Sequence, residues 1–282
     1  MSNKVIELKN VNKIYKTKAE EIHILKNVNL SFSKGNFVSI QGKSGSGKTT
    51  LLNILGLLDV PTNGDMLIDD KLINYKDEKI KNKRALQNDL GFPVDDRKFM
   101  LAIVSRLTDQ KGLDLVEYMM DQICDENTQL VVLGTGDPRY ENMFRHYAWK
   151  YPDRVSANIY YSEDMSHKMY AAADAFLMPS LFEPCGLSQL MSLRYGTLPI
   201  VRETGGLCDT VESYNEFESK GTGFSFANYN AHEMMDRINF ARHIYYDKKR
   251  EWNKMIDRAM AVDFSWKQSA LEYQALYDWL IG

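Results

Sequence analysis

The 282-residue sequence is 44% hydrophobic, 26% charged and 11% aromatic, with 17 Gly, 7 Pro and a formal net charge of −3. These proportions exclude collagen-like, low-complexity and disordered chains, and the length suffices for about two domains whose cores need no disulfide or metal. The weak negative charge offers no global field to recruit nucleic acid or an anionic membrane, so no nucleic-acid partner is expected.

Cys124, Cys185 and Cys208 form no CxxC pair and are odd in number, which points to reduced thiols and a cytoplasmic location. The polar start, MSNKVIELKN, is no signal peptide. The longest apolar stretch, Leu51 to Val60, is broken by Asn53, Gly56 and Asp59 and is far short of a membrane span. No direct membrane insertion is expected.

Two textures follow one another along the chain. Residues 1–80 carry 12 Lys/Arg against 9 Asp/Glu, net +3, and the remainder is net −6. The change falls in the charged stretch Asn74–Arg84, which reads as a solvated helix or connector. The expected organisation is one segment over 1–80 and a second over 81–282.

The first segment reads mostly as strands. Val5–Tyr15 and His23–Phe32 alternate loosely, Ser33-Lys34-Gly35 makes a turn, and Phe37–Ile40 reads as a buried strand. Then comes GKSGSGKTT, Gly42 to Thr50, followed by the apolar helix LLNILGLL. A turn at Pro61-Thr62-Asn63-Gly64 leads to a strand over Asp65–Ile73.

The nine residues at 42–50 match G-x-x-x-x-G-K-[ST] between a β-rich run and a helix, the context that motif requires. Gly42, Gly45 and Gly47 permit the tight backbone in which successive N–H groups, with Lys43, Ser44 and Ser46 between them, surround phosphate oxygens. Lys48 would meet the β- and γ-phosphates, and the Thr49 hydroxyl, beside Thr50, would ligate Mg²⁺. Mg-ATP is the cofactor this loop implies.

The flanks IELKNVNKIYK and ILKNVNLSFSKGNFVSIQGKSGSGKTTLLNILGLLDVPTNGDMLID resemble the start of an ABC transporter ATPase of the lipoprotein or macrolide exporter type, over about residues 4–79. That resemblance implies that Tyr15 stacks on adenine. It also implies a glutamine loop, an LSGGQ signature, an apolar strand ending in Asp-Glu and a switch histidine. No LSGGQ and no such strand end occur in this sequence, and Gln87 sits in the amphipathic context RALQNDLG. Without the acidic pair nothing completes Mg²⁺ coordination or polarises a water, so ATP hydrolysis is not expected.

The second segment alternates strand-like and helical runs: Phe99–Val104, Gly112–Ile123, Gln129–Gly134, Glu141–Lys150, Val155–Tyr161, Ser166–Ala173, Ala175–Pro179, Leu187–Tyr195 and Leu198–Arg202. This rhythm predicts an α/β domain with a parallel sheet covered on both faces, whose ligands sit at the carboxyl ends of the strands. At that edge fall Arg106, Lys111-Gly112, Gly134-Thr135-Gly136, the carboxylate of Glu183 in LFEPCGLSQL, and Thr204-Gly205-Gly206. Two cations beside glycine turns suit a sugar nucleotide diphosphate.

NKRALQNDLGFPVDD, SRLTDQKGLDLV, VVLGTGDPRYE, ADAFLMPSLFEPCGLSQLMSLRYGTLPIVRETGGLCDTV and DFSWKQSALEYQALY resemble bacterial glycogen (starch) synthase, over about residues 82–282. The stretch corresponds to the C-terminal half of that GT-B enzyme, a Rossmann-like domain. The resemblance implies a retaining glucosyltransferase that moves glucose from ADP-glucose to an α-1,4-glucan without a metal cofactor. It implies that Arg106 and Lys111 bind the donor diphosphate and stabilise departing ADP, and that Glu183 contacts the transferred glucose. Gly186 and Leu187 would lie beside sugar and phosphate. Thr204, Gly205 and Gly206 would donate to the distal phosphate, and Tyr161 would stack on adenine. Tyr160 stands where the family commonly has glycine.

Other residues read as structural. His167 is expected to cap a helix or sit in the core, Cys185 to pack, and Met119, Met120, Met234 and Met235 to fill helices or core. Lys248–Arg258 reads as a solvated helical face. The family's N-terminal domain, with its KTGGL loop, has no counterpart in residues 1–80, so a partner chain would have to supply it. The last helix, Ser265–Leu280, would then expose the apolar face of Trp266, Leu271, Tyr273, Leu276 and Trp279. Three readings stand: a glycogen synthase donor-binding half without turnover of its own, an ATP-binding subunit of an exporter, and a recombined or mis-assembled chain with no joint function.

Overall fold

The computed structural model describes residues 4–16, 21–43, 45–56, 61–68, 71–72, 75–264 and 266–281. Ser44 of the glycine-rich loop and the expected helix start at Ser265 lie outside the described residues. Two compact units divide the chain, Met1–Glu78 and Lys79–Gly282.

In the first unit, β1 (Lys4–Lys16) pairs antiparallel with β2 (Glu21–Ser33) on one side and β3 (Asn63–Ile68) on the other. A two-residue β4 (Lys71–Leu72) hydrogen-bonds antiparallel to β3, so the expected single strand over Asp65–Ile73 is two strands, with residues 69, 70 and 73 outside the described residues. Alternation turns Leu8, Leu25 and Met66 inward against Leu51 and Ile54 of α1 (Lys48–Leu55). Both long strands contain the same five residues, Leu-Lys-Asn-Val-Asn, at 8–12 and 25–29.

These repeated phrases fold alike. Asn10 and Asn27 take left-handed φ angles of 50° and 48°, a conformation asparagine tolerates, and the register shifts between Leu8 and Val11. The Asn27 N–H donates to Asn12 Oδ1 at 2.9 Å while Asn12 Nδ2 donates to Asn27 Oδ1 at 3.0 Å. Asn10 and Asn29 exchange the matching pair at 2.9 and 3.2 Å. Side-chain amides thus replace the ladder bonds that the bulges remove.

The run Phe37–Ile40 departs from expectation. It is not a strand; Phe37 is fully exposed and Val38 half-exposed. No described strand pairs with it, so an apolar sequence suited to a central strand has neither a ladder to join nor a second layer to cover it.

The second unit alternates as the sequence predicts. Its elements are α2 (Tyr75–Asp89, entering the unit at Lys79), β5 (Phe99–Val104), α3 (Leu113–Ile123), β6 (Thr128–Leu133), α4 (Pro138–Lys150), β7 (Val155–Asn158), α5 (Glu163–Ala172) and β8 (Ala175–Met178). They continue with α6 (Ser188–Arg194), β9 (Leu198–Arg202), α7 (Gly206–Thr210), β10 (Phe224–Phe226), α8 (Ala231–Asp247), α9 (Lys249–Ala261) and α10 (Trp266–Ile281). The strands form a parallel sheet in the order β10-β9-β8-β5-β6-β7.

Successive residues of β5 serve opposite cores. Phe99, Leu101 and Ile103 pack with α3, α4, α8 and α9, whereas Met100 and Ala102 pack with Leu86 of α2 and Met165 and Met169 of α5. Met119, Met120, Met234 and Met235 are buried, as expected. The Lys248–Arg258 stretch is not simply solvated: Trp252 and Met255 of α9 are buried, with Trp252 edge-on to Phe99 at 6.0 Å. In α10, by contrast, Leu271, Tyr273, Leu276 and Trp279 are exposed.

The charged stretch around residues 74–84 is corrected most sharply. Lys83 is 3% exposed, and its ammonium meets Asp174 Oδ2 at 2.7 Å, Tyr245 Oη and the Asp96 carbonyl at 3.1 Å each, and the Lys98 carbonyl. Lys79 reaches the Thr197 hydroxyl at 2.7 Å and the carbonyls of Tyr170, Ala171 and Tyr195, where α5 and α6 end. A cation there meets the negative ends of two helices. Gln87, also buried, donates to Gln129 Oε1 at 2.7 Å and the Asp95 carbonyl at 3.0 Å. These side chains tie α2 to the amino edge of the sheet.

Lys83→Met would leave Asp174 buried with the Met100 N–H but without its hydrogen-bonded cation, a loss of about 3 kcal/mol. For a unit of this size the melting temperature should fall by roughly 6–12 °C, and adding Asp174→Asn should recover part of it in a double-mutant cycle. Burial pushes the Lys79 pKa down to about 7, opposed by the Asp174 charge and aided by that of Lys83. Between that value and the ordinary lysine range the unfolded chain holds the extra proton, so stability rises with pH. Melting at pH 7 and pH 9 should show a rise in the parent chain that is smaller in Lys79→Met.

Candidate functional site

The sheet reverses its winding between β5 and β8, the place where doubly wound folds open a crevice at the carboxyl edge. Here β5 and β8 pair only through Leu101–Ala175 and Ala102–Phe176, whereas β5 and β6 stay paired from Phe99–Thr128 to Val104–Leu133. The ends of β5 and β8 therefore part. Their loops carry Arg106, Lys111 and Glu183.

Lys111 and Glu183 come together across the crevice. Lys111 Nζ lies 2.5 Å from Glu183 Oε2, with both side chains largely buried. The Ser180 hydroxyl donates to the same oxygen at 3.3 Å. Arg106 is exposed just beyond β5. Glu183 does not cap α6; the N-cap position there is Leu187, without a side-chain cap bond.

The loops approach backbone to backbone, and missing side chains allow it. Gly112 has φ 70°, and a Cβ there would lie 2.0 Å from the Pro179 carbonyl oxygen. Gly205 and Gly206 press in the same way on the Glu183 and Cys185 carbonyls, at 2.1 and 2.0 Å from their would-be Cβ atoms. The Gly206 N–H donates to Glu183 O at 3.2 Å and Pro184 O at 3.1 Å. The Gly206 N–H, expected to face a phosphate, thereby also holds the loop after β8. Gly134 and Gly136 likewise pack on the Ser105 and Leu107 carbonyls.

The remaining candidates lie along the same edge. Thr204 follows β9, Gly186 has φ 73°, and Leu187 is exposed at the start of α6. Tyr161 is 88% exposed beyond β7, which ends at Asn158 rather than at Tyr161. Tyr160 is turned back, its hydroxyl 3.4 Å from Asn158 Oδ1. His167 is neither cap nor core: Ser162 caps α5, and half-exposed His167 has Nδ1 2.9 Å from the Tyr195 hydroxyl. Cys185 is exposed rather than packed.

In the first unit, Lys48 Nζ donates to the Gly42 and Lys43 carbonyls at 2.9 and 2.8 Å, and Gly45 and Gly47 take left-handed φ of 78° and 86°. Ser46 N–H donates to the Lys43 carbonyl, and Thr49 and Thr50 open α1. Tyr15 lies in β1 with Lys13 Nζ 4.9 Å from its ring centroid. These loop residues fit a phosphate in type and backbone, but the strand that should carry the loop, Phe37–Ile40, is not formed.

Comparison with known proteins accords with both halves. The profile described as "Glycosyl transferases group 1" matches residues 86–258, and that described as "ABC transporter" matches residues 25–121. The chain belongs to the glycosyl transferases group 1 family. It is 72% identical to a glycogen synthase of Lachnospira eligens over 206 residues, covering 73% of this chain and 43% of that protein. A glycogen synthase of Lachnoclostridium phytofermentans is 71% identical over 205 residues, with the same shares covered. The chain thus spans less than half the length of these relatives. Among solved structures, the catalytic domain of starch synthase IV from Arabidopsis thaliana, bound to ADP and acarbose, is 30% identical with a TM-score of 0.66. That match covers 83% of this chain and 51% of that one, and the second unit has the α/β, GT-B Rossmann-like fold. No helix among the described residues is long and apolar enough to cross a membrane.

Gly91 and Gly112 separate two effects of a side chain. Both have φ near 70°, but a Cβ at Gly91 meets nothing within 4 Å. Gly91→Ala should cost about 1 kcal/mol and Gly112→Ala at least about 3 kcal/mol, measured by urea unfolding of the full chain.

Proposed function

We propose that the second unit is the donor-binding half of an ADP-glucose-dependent glycogen synthase, acting in the cytoplasm. The meeting of Lys111 with Glu183 at the parted ends of β5 and β8 carries this reading. Family membership and the 72% identity to a glycogen synthase support it.

In this reading Arg106 and Lys111 receive the donor diphosphate, and Lys111 exchanges its carboxylate partner for a phosphate oxygen. Glu183, released from that pair, faces the glucosyl hydroxyls. The two cations offset the charge that grows on ADP as the glycosidic bond breaks. Gly186, Leu187, Thr204 and Gly205 border the sugar and phosphates, and the exposed Tyr161 ring is free to stack on adenine. Glucosyl transfer of this kind uses no metal cofactor. The α-1,4-glucan acceptor requires a second domain, and the exposed face of α10 is the surface on which a partner chain carrying it would bind.

A second reading concerns the first unit alone, where the ABC transporter match and the phosphate-suited loop favour Mg-ATP held by Lys48 and Thr49. Its test is ligand-specific, because Mg-ATP should then raise the melting temperature of the parent chain and not of Lys48→Ala.

The main reading is tested by calorimetric titration of the full chain with ADP. Lys111→Ala should weaken binding about 10- to 100-fold, the worth of one charge-assisted hydrogen bond. An unchanged dissociation constant would refute the assignment. Glucan elongation from ADP-glucose by this chain alone should be undetectable.

A further inference from the structure

Glu183 sits on a loop that has little regular structure of its own. Between the end of β8 and the start of α6 there is no helix or strand, so the direction of the carboxylate depends on what grips the loop. One grip comes from the β5 side: the Leu181 N–H donates to the Gln110 carbonyl at 2.9 Å, and Gln110 Nε2 to the Phe182 carbonyl at 3.2 Å. A second is the Gly206 N–H, on the Glu183 and Pro184 carbonyls, and a third comes from Arg202.

Arg202 is the last residue of β9, fixed in register opposite Phe226 of β10. Its Nε donates to the Ser180 carbonyl at 2.8 Å, and Nη2 to the Leu181 carbonyl. One planar group therefore holds two consecutive carbonyls, a geometry the point charge of lysine cannot reproduce. The guanidinium lies 5.7 Å from the Tyr229 ring centroid, and the Tyr229 hydroxyl donates to Asp114 of α3. A chain of contacts runs along the crevice: Asp114, Tyr229, Arg202, the Ser180–Leu181 carbonyls, Glu183 and Lys111. Ser180 links the gripped carbonyls to the carboxylate, since its own hydroxyl donates to Glu183 Oε2.

We infer that Arg202 is a positioning residue for Glu183, setting the sugar end of the site rather than its nucleotide end. This rests on the donor-binding reading above. Neither guanidinium contact is to a predicted ligand-binding side chain. Its loss would free two carbonyls and let the segment from Ser180 to Glu183 turn, leaving Arg106 and the loop after β7 untouched.

Two readouts on the full chain test this with Arg202→Met and Arg202→Lys. In hydrogen exchange, amides of residues 180–186 should exchange at least about tenfold faster in both variants, a factor set by roughly 1.4 kcal/mol of lost local protection, while β5 and β6 stay protected. In titrations, ADP affinity should stay within about threefold of the parent, while any gain of ADP-glucose over ADP shrinks towards none. Unchanged exchange in 180–186, or equal losses for both ligands, would overturn the role. If Arg202→Met does not fold, Arg202→Lys, which keeps charge and stem, carries the test. If the parent chain binds neither ligand, the donor-binding reading fails, and the exchange pattern still decides whether Arg202 orders this loop.

Discussion

Because β5 and β8 hydrogen-bond through only two register pairs, their carboxyl ends diverge while every other pair in the sheet runs on beside its neighbour. The parting creates an edge where backbone would stand open, and the loops that follow fill it. Their approach depends on glycine at 112, 205 and 206, where any Cβ would overlap a carbonyl oxygen. The glycines at this edge thus act first on the protein itself. They bring the loop bearing Lys111 to the loop bearing Glu183, and hold both close enough for an ion pair to form.

A lysine–carboxylate pair stands at each edge of the same sheet, and the two differ in what surrounds the ammonium. Lys83 at the amino edge has Asp174 and three further oxygen acceptors, which fills the capacity of an –NH₃⁺ group. Lys111 at the carboxyl edge has the Glu183 carboxylate as its hydrogen-bond partner among the described residues. A saturated ammonium can only hold structure together. An ammonium with donors to spare, beside a crevice, can turn to an incoming anion, and its carboxylate partner then keeps the Ser180 hydroxyl. Electrostatics of one kind therefore locks one edge of the sheet and leaves the other open to chemistry.

Much of the second unit was legible because its signals are periodic. A buried parallel strand is a short apolar run, and nine such strand and helix runs fall within a few residues of the observed elements. The short β10 and the turn-like α7 lack that signal and were not anticipated. Charge misled where burial overrode it. Nothing local in NYKDEKIKNKR distinguishes Lys79 and Lys83 from solvated lysines, because their acceptors lie 13 to 162 residues further along the chain. Arg202 escaped notice for the same reason: its partners are main-chain carbonyls, which leave no mark in a sequence. The residues brought to the crevice, Arg106, Lys111 and Glu183, were legible from composition at strand ends and from family resemblance, whereas their pairing was not.

The first unit shows the converse case, in which a strong local motif is not enough. The glycine-rich loop adopts the left-handed backbone its glycines permit, and Lys48 donates to the loop's own carbonyls. A phosphate loop works by preorganisation, since its N–H groups converge only if the strand before it and the helix after it are both fixed. Here α1 is present and packed through Leu51 and Ile54, but Phe37–Ile40 lies unpaired with Phe37 in solvent. With one of its two supports not formed as a strand, the loop would have to be ordered by any phosphate it met, at a cost in binding free energy that the motif alone does not reveal. Local sequence can specify a turn, but rigidity is a property of the sheet around it.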